Sequence, residues 1–239
     1  MRFLTSKKAI LVLKVKYFSL DSIIVKRIIS LGLSGFVMAI TNSAVQIVCN
    51  IRLSQYGGDL YVGVMTVINS IREVITLPVT GLTNGAQPVM GYNYGAQSYQ
   101  RVKTSIKFLA VSWISYTLIT WGVLIAFPEF FIKIFNKNPD LINAALPSLK
   151  IYFFGFFMMS LQFTGQSVFV ALGKAKHAIF FSLLRKVIIV IPLTLILPMV
   201  FNLGIYGVFL AEPISNFIGG SASFFTMLFT LWPELNRKL

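Results

Sequence analysis

The chain has 239 residues, 56% of them hydrophobic and only 12% charged, where an average soluble protein carries about 25% charged residues. At a mean hydropathy of +0.79 too few polar side chains remain to cover a water-soluble globule, which excludes that class. The net charge of +14 comes without an aromatic-interleaved basic face, so it reads as basic loops against anionic lipid and not as a nucleic-acid surface.

The start, MRFLTSKKAILVLKVKYF, imitates a signal peptide, but Lys14 and Lys16 interrupt its apolar part and no small-residue cleavage site follows. Residues 1–26 read as a cytoplasmic amphipathic segment at the lipid interface, part of a loop between lobes. Six apolar stretches of membrane-spanning length follow, near 27–50, 60–88, 104–127, 144–171, 180–200 and 205–231. They predict an all-α polytopic membrane protein: a six-helix transmembrane bundle over 27–232, with short loops, antiparallel neighbours and a cytoplasmic tail at 233–239. PEFFIKIFNKNPD (128–140) reads as a short interfacial helix on the outer side. The single cysteine, Cys49, excludes an intramolecular disulfide and reads as a packed, inert thiol.

Lys and Arg set the orientation. Sixteen of the 21 fall on one side, with Arg185 and Lys186 counted among them; Arg52, Lys133, Lys137 and Lys150 fall on the other, and Arg72 lies inside a span. That bias puts both termini and the 91–103 and 172–179 loops in the cytoplasm.

Polar residues inside spans carry the functional signal, because each is costly in lipid. The second span holds Arg72 and Glu73 near its middle. Thr66, Asn69, Glu73, Thr76, Thr80, Thr83 and Gln87 recur every three or four residues and form one polar helix face. Val64, Ile71, Val74, Ile75 and Val79 form the opposite face. Two readings of the stripe stay open: the wall of a wet cavity, or a polar contact with neighbouring helices. Matching polar positions occur at Asn42, Gln46 and Asn50 in the first span, Gln162 and Gln166 in the fourth, and Glu212 in the sixth. Amide-rich, acid-poor walls beside Phe153, Phe154, Phe156, Phe157 and Phe163 suit large, partly apolar, cationic ligands. Enzyme chemistry finds no constellation. The one histidine, His177, cannot build a triad or a metal site alone, and neither GxSxG nor HExxH occurs.

The stretch GLTNGAQPVMGYNYGA (81–96) lacks the Gly-Lys-Ser/Thr ending of a phosphate loop and follows no strand. Its GxxxGxQPxxGYNYGA pattern, carried by Gly81, Gly85, Gln87, Pro88, Gly91, Asn93 and Gly95, resembles a signature of the multidrug and toxic compound extrusion (MATE) family. Its last part, Gly91 to Ala96, reads as the exit turn of the second span, with Tyr92 and Tyr94 at the lipid interface. LDSIIVKRIISLGLSGF resembles the family's entry into its seventh helix. VALGKAKHAIFFSLLRKVIIVIPLTLILP is similar to the loop between helices ten and eleven with the eleventh helix, and GIYGVFLAEPISN to the opening of the twelfth. The likeness runs from about residue 20 onward and looks most like the bacterial drug-exporter branch.

The resemblance implies the C-terminal six-helix lobe of a twelve-helix transporter. It implies export of drugs or organic cations by Na+ or H+ antiport, with no other cofactor, in the bacterial cell membrane. The partner it implies is an N-terminal lobe or a second copy, and the half-length chain is expected to be a truncated or split form. The acid that several branches carry in their first helix has no counterpart, and spans 27–50 and 144–171 hold no acid. The family's usual acid at Asn216 is also replaced. Glu73 and Glu212 remain, with Glu73 as the proton- or ion-responsive group. The competing readings are a non-transporting membrane scaffold and a flippase or enzyme for lipid-linked substrates.

Overall fold

A computed structural model describes residues 20–238; most of the expected interfacial segment at 1–26 lies outside them. The described chain is an all-α bundle. Its first helix begins at Ser22, five residues earlier than expected, because Asp21 caps it: the Asp21 carboxylate accepts from Ile23 N at 2.8 Å. Helices α1 (22–57) and α2 (59–95) follow each other with one residue between them. That residue is Gly58, at φ 65° and ψ −165°, a backbone region closed to side chains with a Cβ.

Next come α3 (Tyr99–Ala126), the short α4 (Pro128–Phe135) and α5 (Pro139–Tyr152). A break of three residues and a bend of 46° separate α5 from α6 (Phe156–Ala171). The fourth expected span is therefore a bent pair and not one straight helix. The bend falls where the chain tightens into a 3-10 turn at Phe156–Met158. The bundle closes with α7 (Ala175–Ile196) and α8 (Ile205–Arg237). Each of these contains a π-helical stretch, Leu184–Val190 in α7 and Asn216–Gly220 in α8. A proline lies close to each, Pro192 and Pro213. Proline offers no N–H to the preceding turn, and a π turn takes up the resulting shift of register.

Two buried clusters hold the helices together. Near the Gly58 end, Leu53, Val64, Ile68, Ile71, Leu124, Ile132, Leu149, Phe153 and Phe209 interlock. Near the C-terminal end, Met90, Val102, Leu109, Trp113, Phe169, Phe181, Met227 and Leu231 do the same. Lipid tails are as apolar as these side chains, so close packing stabilises the bundle more than transfer from water does. Outward lie Ile28, Ile29, Phe108, Val111, Ile119 and Phe229, which fit a lipid-facing surface. On α2 the expected apolar face holds at Val64, Ile71, Ile75 and Val79. Val74 departs from it and is 56% exposed, since its direction on the helix lies between Ile71 and the open polar side.

Candidate functional site

The polar stripe of α2 borders two separate cavities, one in each half of the lobe. The first, toward the Gly58 end, is small, about 20 Å³, room for about one water. Asn42 and Gln46 from α1, Asn69 and Arg72 from α2, Tyr152 from α5, Lys186 and Thr194 from α7, and Glu212 from α8 line it, with Cys49 among the apolar remainder. Cys49 is buried, as expected, with its Sγ 3.9 Å from Thr194 Oγ1.

Glu212 is the hub of this region. Arg185 Nη1 donates to its Oε1 at 3.0 Å, and Lys186 Nζ donates to the same oxygen at 3.2 Å and to Oε2 at 3.5 Å. Arg72 Nη1 stands 3.8 Å from Oε1, outside hydrogen-bond reach. Arg185 also donates to Asn216 Oδ1. Three cations therefore surround one carboxylate, and Arg185, Lys186, Glu212 and Asn216 are all at most 5% exposed. The two π turns explain the meeting. Arg185 and Lys186 sit on one, Asn216 opens the other, and the two turns pack together. Gly219 makes the room, because a Cβ there would lie 2.8 Å from Arg185 Cγ.

Counting Arg185 and Lys186 with the cytoplasmic loop charges is thus incorrect. Arg185 lies ten residues into α7, about 15 Å along its axis at 1.5 Å per residue, and turns inward to Glu212. The signal was in the sequence, since both residues fall inside the expected 180–200 span. Asn216, expected as the replacement of an acid, instead accepts from Arg185, a long-range contact that no local spacing announces.

The second cavity, about 170 Å³, lies toward the C-terminal end. Thr80, Thr83, Asn84 and Gln87 of α2 line it, with Met38, Trp113, Phe163, Gln166, Ser167 and Val170. Its wall is stiffened by contacts: Trp113 stacks on Phe163 with ring centroids 5.0 Å apart and donates from Nε1 to Thr83 Oγ1 at 3.1 Å. Gln166 Nε2 donates to the Ala178 carbonyl at 3.1 Å. Among the described residues, no acidic or basic side chain lines this cleft.

The expected residues therefore divide. Asn42, Gln46, Asn69, Arg72 and Glu212 meet at the first cavity; Thr80, Gln87 and Gln166 meet at the second. Glu73, Thr76 and Asn50 line neither. Glu73 and Asn50 are exposed, and the Thr76 hydroxyl donates to its own helix at the Arg72 carbonyl, 2.9 Å away. Gln162 is buried between helices, with Oε1 unpaired.

The glycine-rich stretch is helical from Gly81 to Gly95. Gly81, Gly85, Pro88, Gly91, Asn93 and Gly95 all lie on α2, and the turn comes only at 96–98. The expected exit at Gly91 is displaced because the helix keeps its bonds past Pro88, and Asn93 Nδ2 donates to the Val89 carbonyl at 2.8 Å. Tyr92 points out, 77% exposed. Tyr94 is half-buried, and its hydroxyl donates to Glu234 Oε1 at 3.0 Å. Lys238 and Lys174 bind the same carboxylate at 2.9 and 3.2 Å, tying α2, the α6–α7 turn and the end of α8 together.

Comparison with known proteins agrees with this architecture. No curated protein matches the chain. Among solved structures, a MATE protein in its bent conformation superposes with a TM-score of 0.91 at 17% identity, covering 99% of this chain and 52% of that one. An outward-facing multidrug resistance MATE family transporter of the MOP superfamily gives 0.89 at 16%, with 99% and 52% covered. The MATE multidrug transporter DinF-BH, in a ligand complex, gives 0.82 at 29%, with 96% and 51% covered. The chain spans about half the length of the solved structures it matches, as expected for one six-helix lobe. The family model named MatE matches residues 35–196, and with more than half its residues inside that match, the chain belongs to the MatE family.

Proposed function

We propose that the chain is one lobe of a secondary efflux transporter, which exports drugs, organic cations among them, in exchange for Na+ or H+ without a further cofactor. The observation that carries this is the open polar side of α2. Glu73, Thr80 and Asn84 are exposed there while Val64, Ile71 and Val79 on the other side are buried. The aromatic and amide cleft of about 170 Å³ opens beside them, with a mostly apolar lining and a few polar groups suited to holding part of a drug body. Alternating access needs two bundles that rock about a central site. The polar side is the surface a second bundle would cover, whether an N-terminal lobe or a second copy of this chain.

Glu73 is the coupling candidate: it is exposed on that side, and its side chain has no hydrogen bond or ion pair among the described residues. With Arg185 and Lys186 removed from the count, Arg101, Lys103, Lys174 and Lys176 still gather at the C-terminal end. This supports a bacterial cell-membrane protein with both ends in the cytoplasm.

The test is drug accumulation in cells expressing this chain alone and with an N-terminal MATE lobe. Lower accumulation in the paired cells supports the reading. Unchanged accumulation in both defeats it in favour of a non-transporting scaffold. Glu73→Gln is expected to abolish the dependence of export on the ion gradient; full gradient-driven export by that variant removes Glu73 from coupling.

A further inference from the structure

We propose that the groove between α7 and α8 holds one anionic phospholipid, its phosphate at Lys176 and His177 and the upper part of an acyl chain along Phe180 and Leu184. The site is separate from both polar cavities and from the open side of α2, and it does not depend on the transport reading.

The first support is shape. The groove is open and measures about 550 Å³. Phe180 and Leu184 stand one turn apart on α7, and Ala222 and Thr226 one turn apart on α8. The small pair on α8 does not fill the space beside the large pair on α7, so a trough stays between the helices. Phe181 is buried while Phe180 is 55% exposed, so one marks the floor and the other the rim.

The second support is the change of chemistry along the trough. Lys176 and His177 lie at the start of α7, and Leu184 lies eight residues beyond Lys176, about 12 Å along the axis at 1.5 Å per residue. The His177 ring lies flat on Phe169, with centroids 5.0 Å apart, and offers a ring N–H. Lys174 is already bound to Glu234 at 3.2 Å. Lys176 is exposed and has no hydrogen bond or ion pair among the described residues. Among those residues no acidic side chain lines the groove. A cation at the membrane surface, followed by an apolar trough, matches an anionic headgroup followed by its chain. A free phosphate would leave the trough empty, and a neutral lipid would leave Lys176 unanswered.

The third support is access. Ile188 on α7 and Phe225 and Phe229 on α8 are exposed and continue the apolar surface around the groove. The groove therefore opens to the bilayer, and a lipid enters sideways. It comes from the leaflet at the C-terminal end, the anionic cytoplasmic one in the orientation proposed above. The inner end borders both π-helical stretches, since Leu184 opens one and Ala222 closely follows the other. A chain lying there braces the two helices at their least regular turns, so binding should stabilise the lobe.

The experiment uses the whole chain in uncharged maltoside micelles. It reads the thermal unfolding midpoint and the lipid retained in native mass spectrometry. The probes are phosphatidylglycerol, phosphatidylcholine with the same acyl chains, and glycerol 3-phosphate, an anionic head without chains. Phosphatidylglycerol is expected to raise the midpoint in a saturable way, with one lipid retained, and to bind about tenfold more tightly than phosphatidylcholine. Glycerol 3-phosphate is expected to leave the midpoint unchanged. Lys176→Gln is expected to weaken phosphatidylglycerol about tenfold, the loss of one charge-assisted hydrogen bond, and to leave phosphatidylcholine as it was. Phe180→Ala is expected to weaken both lipids severalfold. Arg101→Gln removes the same charge at the same end of the bundle but outside the groove lining, and is expected to change lipid binding less than twofold. All three positions are exposed, so folding does not depend on them. Equal binding of the two lipids, or equal losses in Lys176→Gln and Arg101→Gln, overturns the proposal in favour of general surface charge. Glycerol 3-phosphate acting as well as phosphatidylglycerol overturns it in favour of a soluble anion. Because binding is read without transport, a chain that binds phosphatidylglycerol but exports nothing fails only the transport reading.

Discussion

The two halves of the lobe share the helix α2 yet solve different problems. Toward the Gly58 end, three cations close around Glu212 and leave a cavity of about 20 Å³. Toward the C-terminal end, Trp113 and Phe163 stack beside amides and hydroxyls and leave about 170 Å³, with no charged side chain among the described residues of the wall. Charge away from water must be answered by charge or by hydrogen bonds at close range, which draws helices together and shuts space. An aromatic and amide wall has no such demand and can stay open. One half is therefore closed by charge, and the other stays open beside an aromatic and amide wall.

The sharpest break of that contrast is Glu212→Ala. It leaves Arg72, Arg185 and Lys186 without their shared acceptor, and removing one partner of a buried ion cluster costs about 3–5 kcal/mol. A large fall in the unfolding midpoint is expected, and adding Lys186→Met should return part of it. A midpoint equal to that of the unchanged chain would mean that the charges there are not held by Glu212.

Smaller effects separate packing from charge. Gly219→Val places a side chain 2.8 Å from Arg185 Cγ, and overpacking of this kind costs about 1–3 kcal/mol. Its loss should shrink when Arg185 is also shortened to Ala, which a double-mutant cycle of unfolding measurements reads directly. In the other half, Trp113→Phe keeps a ring on Phe163 but loses the donor to Thr83. The expected cost is about 1 kcal/mol, with little change around Glu212. If Trp113→Phe lowered the unfolding midpoint as far as Glu212→Ala does, the two halves would not be independent.

How much of this was legible in the sequence depends on what kind of order each part needs. Six apolar stretches announce six helices because span length is a local property. The i, i+3, i+4 spacing from Asn69 to Gln87 announces the polar side of α2 for the same reason. The meeting of Arg185 with Glu212 and Asn216 is nonlocal and turns on two π-helical stretches. Hydropathy does not register a π turn, so Arg185 and Lys186 read as loop charges although they lie inside an apolar run. The division of the α2 stripe between two cavities was likewise hidden, because the partner walls come from α1, α3, α5, α6, α7 and α8. The bend between Tyr152 and Phe156 escaped for a different reason: Gly155 is its one local mark, and the surrounding phenylalanines are as apolar as a straight span.

The smallest effect lies at the C-terminal end, where Glu234 ties three elements together. Hydrogen bonding from Lys238 is the main cause that holds its carboxyl at about 2, below the ordinary 4.5, and Lys174 and Tyr94 act in the same direction. The carboxylate keeps these contacts only while ionised. Because the folded value is the lower one, the contribution is complete above about 4.5 and is lost as the pH falls from there toward about 2. The Glu234 side chain is 29% exposed, so water screens these pairs and the contribution should stay below about 1 kcal/mol. Glu234→Gln is therefore expected to unfold slightly earlier than the unchanged chain at pH 7, with the gap closing as the pH is lowered through that window. Neither Glu212 nor the aromatic cleft predicts such a closing gap for this variant. An equal gap at pH 7 and pH 3 would show that Glu234 holds the helix ends by its shape and not by its charge.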